Sequence, residues 1–407
     1  MIYAAIEVFK IKAMEHLKII AGEIGPRGAT TTNEYKAGEY VKQLFGNLGF
    51  KTQIQEFYSI PSFSHPYIII YLLALIGILA SYFYPLFLIL TIFSYPLYVL
   101  EYLYMKPIVS RLIASIIKRR SRNIIGIYRS GSPKVRIIFS AHIDSTKAAE
   151  VFKPEKIKRL RSLLSLSFYM FLFLFIYSII YIVVATLNLI PNISIFSLEL
   201  KYILYLIELL LSIPIIINLI NLFEREFRHE YVPGANDNGS GIAVLLALAE
   251  IISENKPNNI EIYFVATGSE EVGMLGMHHF KKNFRPILNN AYIINFDNPG
   301  KGKLAFTLCE GLIKLFCCKE GLLLKIAKDV GKELNISPFK YRLLPTDAIL
   351  LIRDGFEAIS IMAFDEDGFP IDYHWYNDDL RNINPENLRK AVEFSIKIIE
   401  EILRYHS

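Results

Sequence analysis

Six acidic and histidine side chains that lie far apart in the sequence are of the types that bind divalent metal ions. They are His142, Asp237, Glu270, Glu271, Asp297 and His374. Imidazole and carboxylate ligands together suit zinc, and they also suit cobalt or manganese. Burying several carboxylates in one place without cations costs several kcal/mol for each ion, and divalent metals remove that cost. These residue types therefore predict a metal-binding site.

Apolar segments with the composition of buried strands end just before His142, Glu270 and Asp297. The three segments are residues 134–140, 260–266 and 291–296. In a parallel sheet the carboxyl ends of the strands meet in one crevice. We therefore expect these side chains to lie close together, although they are far apart in sequence.

The other polar parts of the chain alternate between predicted helices and strands. Further strands are predicted at 51–57, 123–128 and 358–363, and helices at 30–48, 240–254, 322–334 and 385–405. Such alternation implies a largely parallel sheet with helices on both faces. The predicted fold class is therefore α/β, with a mixed, largely parallel sheet covered by helices.

The glycine-rich stretch Gly234–Gly241 precedes one of these helices, and it has two interpretations. Its Asp237 could be a metal ligand, or the turn could hold a phosphate group. The stretch lacks the Lys-Ser/Thr pair of a phosphate-binding loop, so the metal-ligand interpretation is preferred.

Two long apolar blocks interrupt the globular pattern, and each is long enough for two membrane spans of about 20 residues. The predicted spans are Tyr67–Tyr84, Leu86–Tyr104, Leu164–Ile190 and Tyr202–Leu222, with turns at Tyr84-Pro85 and Pro191-Asn192. Each block leaves one face of the membrane and returns to it. The predicted organisation is one globular domain made of residues 1–65, 106–161 and 223–407, interrupted by transmembrane hairpins at residues 66–105 and 162–222.

Three features adjoin the predicted spans. Glu208 lies inside the fourth span, where a carboxylate must face protein or the interface; the preferred position is near the headgroups. Residues 107–120 combine an apolar stripe with basic residues, which favours a helix lying on anionic headgroups over an ordinary surface helix. Met1–Glu23 is predicted to be a mildly amphipathic helix.

The composition agrees with a membrane protein. Hydrophobic residues make up 53% of the chain, and the net charge is only +5. The basic residues cluster beside apolar runs, which fits a membrane surface and argues against nucleic-acid binding. Three cysteines, Cys309, Cys317 and Cys318, give no disulfide framework and are expected to be small buried side chains.

The chain resembles the M28 family of zinc aminopeptidases through an ordered series of motifs. These are RGATTTNEYKAGEYVKQLFGNLGFKTQIQEF at 27–57, AHIDS at 141–145, GANDNGSGIAVLLALAE at 234–250, FVATGSEEVGMLGMHHF at 264–280, INFDNPG at 294–300, PTDA at 345–348 and YHWYND at 373–378. The resemblance covers essentially all residues outside the four spans. It implies a zinc-exopeptidase-like fold.

The resemblance also implies how two divalent metal ions, expected to be Zn²⁺, would be bound. His142 and Asp297 would bind one ion. Glu271 and His374 would bind the other ion, and Asp237 would bridge the two.

Three further residues receive roles from the resemblance. Glu270 would be the general base and not a ligand, Asp144 would orient the imidazole of His142, and Tyr373 would polarise the substrate carbonyl. The bond after Asp237 is expected to be cis. Where the family usually has Thr-Pro after the last histidine, this chain has Trp375-Tyr376, so the pocket wall is expected to differ from the family pattern there.

The implied function is a membrane-anchored zinc peptidase, expected to be an aminopeptidase, that hydrolyses peptide bonds with a metal-bridged water and Glu270 as general base. Two alternatives stay open. One is a glutaminyl-cyclase-like zinc acyltransferase, which would work with one metal ion. The other is a non-catalytic membrane receptor or assembly subunit, although such relatives typically lose ligands and every ligand position is filled here.

The distribution of basic residues predicts the orientation in the membrane. Basic residues flank the predicted spans on the side of the globular domain, whereas the opposite loops carry a single lysine, Lys201. Basic residues near span ends are retained in the cytoplasm. We therefore expect an integral membrane protein with four transmembrane helices, in contact with the lipid bilayer, whose globular domain and termini are cytoplasmic.

Overall fold

The computed structural model describes residues 12–187 and 198–407. Residues 12–17 are helical and continue into a π-helical turn at Lys18–Ile24, so only the second half of the predicted helix Met1–Glu23 is described. The predicted turn at Pro191-Asn192 lies outside the described residues.

Strands from the whole length of the globular domain form one sheet. In chain order they are β1 Lys51–Ser59, β2 Arg119–Arg129, β3 Val135–His142, β4 Ile260–Thr267, β5 Tyr292–Phe296, β6 Lys303–Glu310, β7 Phe316–Cys317, β8 Ser337–Tyr341 and β9 Glu357–Phe364. The order across the sheet is β1-β2-β4-β3-β5-β9-β6-β7, and β8 pairs with β6.

The centre of this sheet is parallel. Strands β4, β3, β5 and β9 run in the same direction, whereas β1, β2, β6 and β7 pair antiparallel to their neighbours. Residues of β4 are buried along the whole strand, which explains its continuous apolar sequence. The predicted fold class, a mixed and largely parallel sheet with helices, is confirmed.

Helices of the globular domain cover the sheet. They are α1 Thr32–Asn47, α4 Ile108–Ile117, α7 Gly241–Asn255, α8 Leu275–Asn283, α9 Arg285–Leu288, α10 Leu322–Leu334, α11 Ile349–Arg353 and α12 Pro385–His406. Helix α7 is buried almost all round because it contacts β3, β5 and α12. Each fully buried leucine in it, such as Leu245, contributes roughly 1.5–3 kcal/mol of hydrophobic stabilisation.

Four helical stretches in the described part of the chain have the length and composition to cross a membrane. They are Ser64–Ser81, Pro85–Leu103, Pro154–Leu187 and Leu200–Arg228. We label the helices within them α2 Ser64–Ser81, α3 Leu88–Tyr98, α5 Pro154–Leu187 and α6 Leu198–Arg228. Large apolar side chains, including Phe173 and Leu210, face outward with 56% and 64% of their surface exposed. Helix α5 begins at Pro154, ten residues before the predicted start of the span at Leu164. The charged residues 155–161 form the first turns of the same helix, ahead of its apolar segment.

Glu208 is the carboxylate inside the predicted fourth span, and it lies in α6. Its side chain is fully buried among the apolar helices, and it accepts hydrogen bonds from Ser81 Oγ at 3.0 Å and Ser178 Oγ at 3.3 Å. Glu208 lies ten residues into α6, about 15 Å from the start of that helix. The carboxyl group therefore faces protein, and it joins three helices from both hairpins.

Two expectations are corrected by the structure. The helix predicted over residues 107–120 ends at Ile117, because Lys118 adopts a left-handed conformation and Arg119 already pairs with Ser59 in the sheet. Cys309 and Cys317 form a disulfide bond, because antiparallel β6 and β7 place them directly opposite each other. Cys318 is free and buried, as expected.

Candidate metal centre and active site

The carboxyl edge of the parallel strands brings the six predicted residues together. His142 is the last residue of β3, and Asp297 directly follows β5. Glu270 and Glu271 come from the loop after β4, whereas His374 comes from the loop after β9. All of these side chains are buried or nearly so, with at most 10% of their surface exposed.

The ligand atoms form two groups that share Asp237. In the first group, His142 Nε2 lies 3.2 Å from Asp237 Oδ1 and 3.7 Å from Asp297 Oδ2. In the second group, His374 Nε2 lies 3.1 Å from Asp237 Oδ2 and 3.2 Å from Glu271 Oε2. The ligand atoms in each group are within 4.8 Å of one another. Asp237 therefore presents one carboxylate oxygen to each group.

The turn before α7 fixes the position of Asp237. Gly234 has φ +62°, and a Cβ atom there would lie only 2.5 Å from the carbonyl oxygen of Asp237, so this position needs glycine. The buried carboxylate of Asp378 accepts hydrogen bonds from the backbone N–H groups of Asn236 and Asp237, at 2.6 and 2.9 Å. The peptide bond between Asp237 and Asn238 is cis, as the family resemblance implied.

Arg27 joins the segments that carry His142 and Asp237. Its guanidinium group is fully buried, and it donates to the carbonyl oxygens of Ile143 at 2.9 Å, Pro233 at 2.7 Å and Gly234 at 2.9 Å. The first of these carbonyls follows His142, and the other two begin the Asp237 turn. Sequence reasoning assigned no role to Arg27 or Asp378, since both act through backbone contacts that only the folded chain brings together.

Asp144 contacts the site differently from the expectation. Its carboxylate lies 3.7 Å from His142 Nδ1, beyond hydrogen-bond distance, whereas its backbone carbonyl lies 3.0 Å from the same nitrogen. The carboxylate accepts hydrogen bonds from the backbone N–H groups of Glu270 at 3.0 Å and Glu271 at 3.1 Å. Asp144 thus orients the His142 imidazole through its backbone carbonyl. It orients Glu270 and Glu271 through its carboxylate.

The charges at this edge of the sheet fit divalent cations. Burial raises the pKa of the Asp297 carboxyl to about 8 and the pKa of Glu270 well above its ordinary value. Burial lowers the pKa of the His374 imidazole, but Glu271 and Asp237 outweigh it and raise that pKa to about 9. Glu271 Oε1 and His374 Nδ1 are buried without a hydrogen-bond partner among the described residues. Buried carboxylates that lie close together ionise readily only beside cations. These carboxylates and imidazoles therefore fit divalent metal ions as their ligands.

Another group of possible ligands lies outside this centre. Glu150, Glu224 and His229 offer ligand atoms within 4.8 Å of one another. Lys153 and Lys156 both contact the carboxylate of Glu150 at 2.6 Å. Two ammonium groups already neutralise this carboxylate, so the group has no need of a metal ion.

A cavity lies over the candidate metal centre. Two phenols line it, Tyr373 and Tyr341. Sequence reasoning named Tyr373 but missed Tyr341, which ends β8, a strand that was not predicted. Trp375 and Tyr376 are not among the lining residues, and the hydroxyl of Tyr376 instead lies 3.0 Å from His229 Nδ1. The departure from the family pattern at these two positions therefore leaves the cavity wall intact.

The hydroxyl of Tyr341 is suited to donate a hydrogen bond to a bound substrate. It is buried and has no hydrogen-bond partner among the described residues, and burial raises the pKa of this phenol well above its ordinary value. We expect Tyr341→Phe to lower kcat by about 10²–10³-fold, the usual effect of losing one donor to developing negative charge. Stability should not fall, because the substitution removes an unpaired buried hydroxyl.

Steady-state kinetics and thermal unfolding of Tyr341→Phe check this prediction, with Tyr373→Phe as the matched variant on the other side of the cavity. An unchanged kcat in Tyr341→Phe would show that its phenol makes no contact with the reacting group.

Comparison with known proteins identifies this arrangement. Residues 224–399 match the sequence model of peptidase family M28. Over these residues the chain is similar to peptidase family M28. The matched region contains Asp237, Glu270, Glu271, Asp297 and His374, whereas His142 lies before it, ahead of the second hairpin.

Individual proteins show the same similarity. The zinc aminopeptidase BSAP of Bacillus subtilis shares the fold, with a TM-score of 0.54 and 14% identity over 97% of this chain and 95% of that chain. Aminopeptidase YwaD of Bacillus subtilis is 48% identical over 50 residues, which are 12% of this chain and 11% of the relative. The vacuolar membrane protease of Candida albicans is 25% identical over 175 residues, 41% of this chain and 19% of the relative.

The chain thus shares the fold of a zinc aminopeptidase, and its residues 224–399 resemble a family of peptidases. The sequence matches span only 11% and 19% of the length of the two curated relatives. The substrates of those relatives can therefore be assigned to this chain only as a proposal.

Proposed function

We propose that this chain is a membrane-anchored peptidase of the M28 type that uses two divalent metal ions, expected to be Zn²⁺, and acts as an aminopeptidase. The observation that carries the proposal is the pair of ligand groups that share Asp237. His142 and Asp297 would hold one ion, and Glu271 and His374 would hold the other. When bound, such ions acidify water and polarise the carbonyl group of a peptide bond.

Glu270 is the residue that would move the proton. Its carboxylate lines the cavity, 3.9 Å from His142 Nε2, and the Asp144 carboxylate holds its backbone N–H. Burial raises its pKa, which makes it a stronger base than an exposed glutamate. In this proposal Glu270 accepts a proton from the attacking water and gives it to the leaving amine. Tyr373 and Tyr341 would donate hydrogen bonds to the carbonyl oxygen.

The proposal is tested by the products that purified protein releases from a peptide library. Matched peptides with free and blocked N-termini should be cleaved differently, with single residues released only from free N-termini, and chelation should abolish the cleavage. Internal cleavage of blocked peptides would make the chain an endopeptidase. No cleavage of any peptide by metal-loaded protein would overturn the proposed activity.

We further propose that the apolar helices anchor the peptidase domain and that this domain faces the cytoplasm. Support comes from the basic residues beside the spans and from α4, on which Leu112 and Ile116 are 61% and 70% exposed beside Arg111. The Cys309–Cys317 disulfide supports the opposite side, because disulfides persist in oxidising compartments. An experiment on intact cells separates the two orientations.

A cysteine at Phe83, which is 80% exposed at the turn of the first hairpin, should react with a membrane-impermeant thiol reagent in intact cells. A cysteine at Ser407 should react only after permeabilisation. The unsubstituted chain is the control, and it reports any labelling of Cys309, Cys317 and Cys318. Labelling of Ser407→Cys but not Phe83→Cys in intact cells would place the peptidase domain outside the cytoplasm.

A further inference from the structure

The two histidines of the candidate metal centre are held in different ways. The Nδ1 atom of His142 lies 3.0 Å from the backbone carbonyl oxygen of Asp144. The Nδ1 atom of His374 is buried and has no hydrogen-bond partner in the described part of the chain. A hydrogen bond from the second ring nitrogen usually fixes the direction of a metal-binding imidazole. Among the described residues, the contacts that orient the His374 ring are therefore packing contacts.

The backbone of His374 also depends on its surroundings. Its φ angle is +54°, in the left-handed region that residues other than glycine adopt at a cost. Asp372, two residues earlier, has φ +58°, and its carboxylate lies 3.0 Å from Nζ of the buried Lys301. Such conformations persist where the surrounding structure holds them. The loop that carries His374 is therefore fixed by contacts from other parts of the chain.

Phe152 makes one of these contacts, from a short turn directly before α5. Its side chain is buried, and its ring centroid lies 4.6 Å from that of the His374 imidazole, with 62° between the two planes. It also lies 5.7 Å from the ring centroid of Tyr373. The Nζ atom of the next residue, Lys153, lies 5.4 Å from the ring centroid of Trp375. The turn before α5 thus packs along three consecutive residues of the His374 loop.

Helix α5 holds this turn against the metal cavity. Ile157 and Leu160, in the first turns of α5, belong to the same buried cluster as Phe152. The cluster also contains three residues that line the cavity, Tyr341, Met362 and Tyr373. Arg161 donates a hydrogen bond of 2.7 Å to the carbonyl oxygen of Arg342, the residue after Tyr341. Because α5 continues into an apolar stretch long enough to cross a membrane, the second hairpin begins where it contacts the metal centre.

We infer that Phe152 is a positioning residue for His374, and that the second hairpin thereby helps to build the metal site formed by Glu271 and His374. This inference rests on the proposed two-metal function. Phe152 is not among the described residues that line the metal cavity, so it acts through the imidazole, whose Nε2 atom lies 3.2 Å from Glu271 Oε2. Without the Phe152 ring, the imidazole gains freedom to turn, and metal binding must restrict that freedom.

Phe152→Ala should weaken zinc binding at one of the two sites. Metal-free, full-length protein is titrated with Zn²⁺ in competition with a chelator. We expect the Kd of one ion to rise by about 10–100-fold, the usual effect of losing a contact that orients a metal ligand. Two backgrounds identify the site. The loss should appear in Asp297→Ala, which keeps the His374 site, and it should be absent in Glu271→Gln, which keeps the His142 site.

Phe369→Ala is the matched control. Phe369 is buried in the same cluster, and its ring centroid lies 4.0 Å from the guanidinium carbon of Arg161. The same atoms are removed in both variants, so thermal unfolding should show a similar loss of stability, whereas Phe369→Ala should leave both zinc affinities unchanged. Phe152→Leu decides the matter if Phe152→Ala does not fold, and it should show a smaller loss confined to the same ion.

The outcomes separate this inference from the proposed function. If wild-type protein binds two zinc ions and the folded Phe152 variants bind both with wild-type affinity, the inference alone is overturned. An equal loss of zinc affinity in Phe369→Ala would also overturn it, because the effect would then follow from general destabilisation. If wild-type protein binds fewer than two ions, the proposed two-metal function itself fails.

Discussion

Glu270→Gln should keep its metal ions and lose hydrolysis by about 10²–10⁴-fold, the usual effect of removing a general base. Glutamine has nearly the same shape as glutamate, and the contact that holds this residue is its own backbone N–H with the Asp144 carboxylate. The fold around the site should therefore be preserved. Only the ability to accept the proton of the attacking water is lost.

The position of Glu270 makes this substitution informative. His142, Glu270 and Glu271 also offer ligand atoms within 4.8 Å of one another, so distance alone leaves either glutamate as a possible ligand. Glu271 Oε2 lies 3.2 Å from His374 Nε2, whereas Glu270 Oε2 lies 3.9 Å from His142 Nε2. We expect Glu271→Gln to weaken one metal site, as the matched control. Release of metal by Glu270→Gln, with retention by Glu271→Gln, would reverse the two roles.

Asp237→Ala should have a still larger effect, because this carboxylate belongs to both ligand groups. Loss of an outer hydrogen-bond partner of a metal ligand costs about 10–100-fold in metal affinity, and loss of the ligand itself must cost more. We expect Asp237→Ala to weaken both metal sites and to abolish measurable hydrolysis. Elemental analysis after dialysis measures the metal content, and peptide hydrolysis measures the activity.

Asp297→Ala is the matched variant for Asp237→Ala. Asp297 belongs to one group only, so this variant should lose one ion and keep the other at His374, Glu271 and Asp237. Equal loss of metal from the two variants would argue that Asp237 does not bridge the two metal ions.

Residues whose type and surrounding sequence motif indicate their role could be predicted from the sequence. His142, Glu271 and Asp297 follow apolar strands, and the topology of a parallel sheet is enough to bring them to one edge. Asp237 and His374 were named from the family motifs around them. The structure places all of these side chains at the same edge of the sheet.

Residues that act through tertiary contacts could not be predicted in this way. Asp378 and Arg27 bind backbone groups that are distant in sequence. Tyr341 ends a short strand with mostly exposed residues, which carries no clear apolar pattern. The partners of Glu208 lie on two other helices, so its burial depends on how the hairpins pack together. In each case the deciding contact is absent from any local stretch of sequence.

The central claim is that two metal ions are bound through Asp237, and metal titration tests it most directly. Metal-free protein is titrated with Zn²⁺ while bound zinc and peptide hydrolysis are measured on the same samples. The account predicts about two ions per chain at saturation, with full activity only once both are bound. Full activity with one ion per chain, or with none, would contradict it.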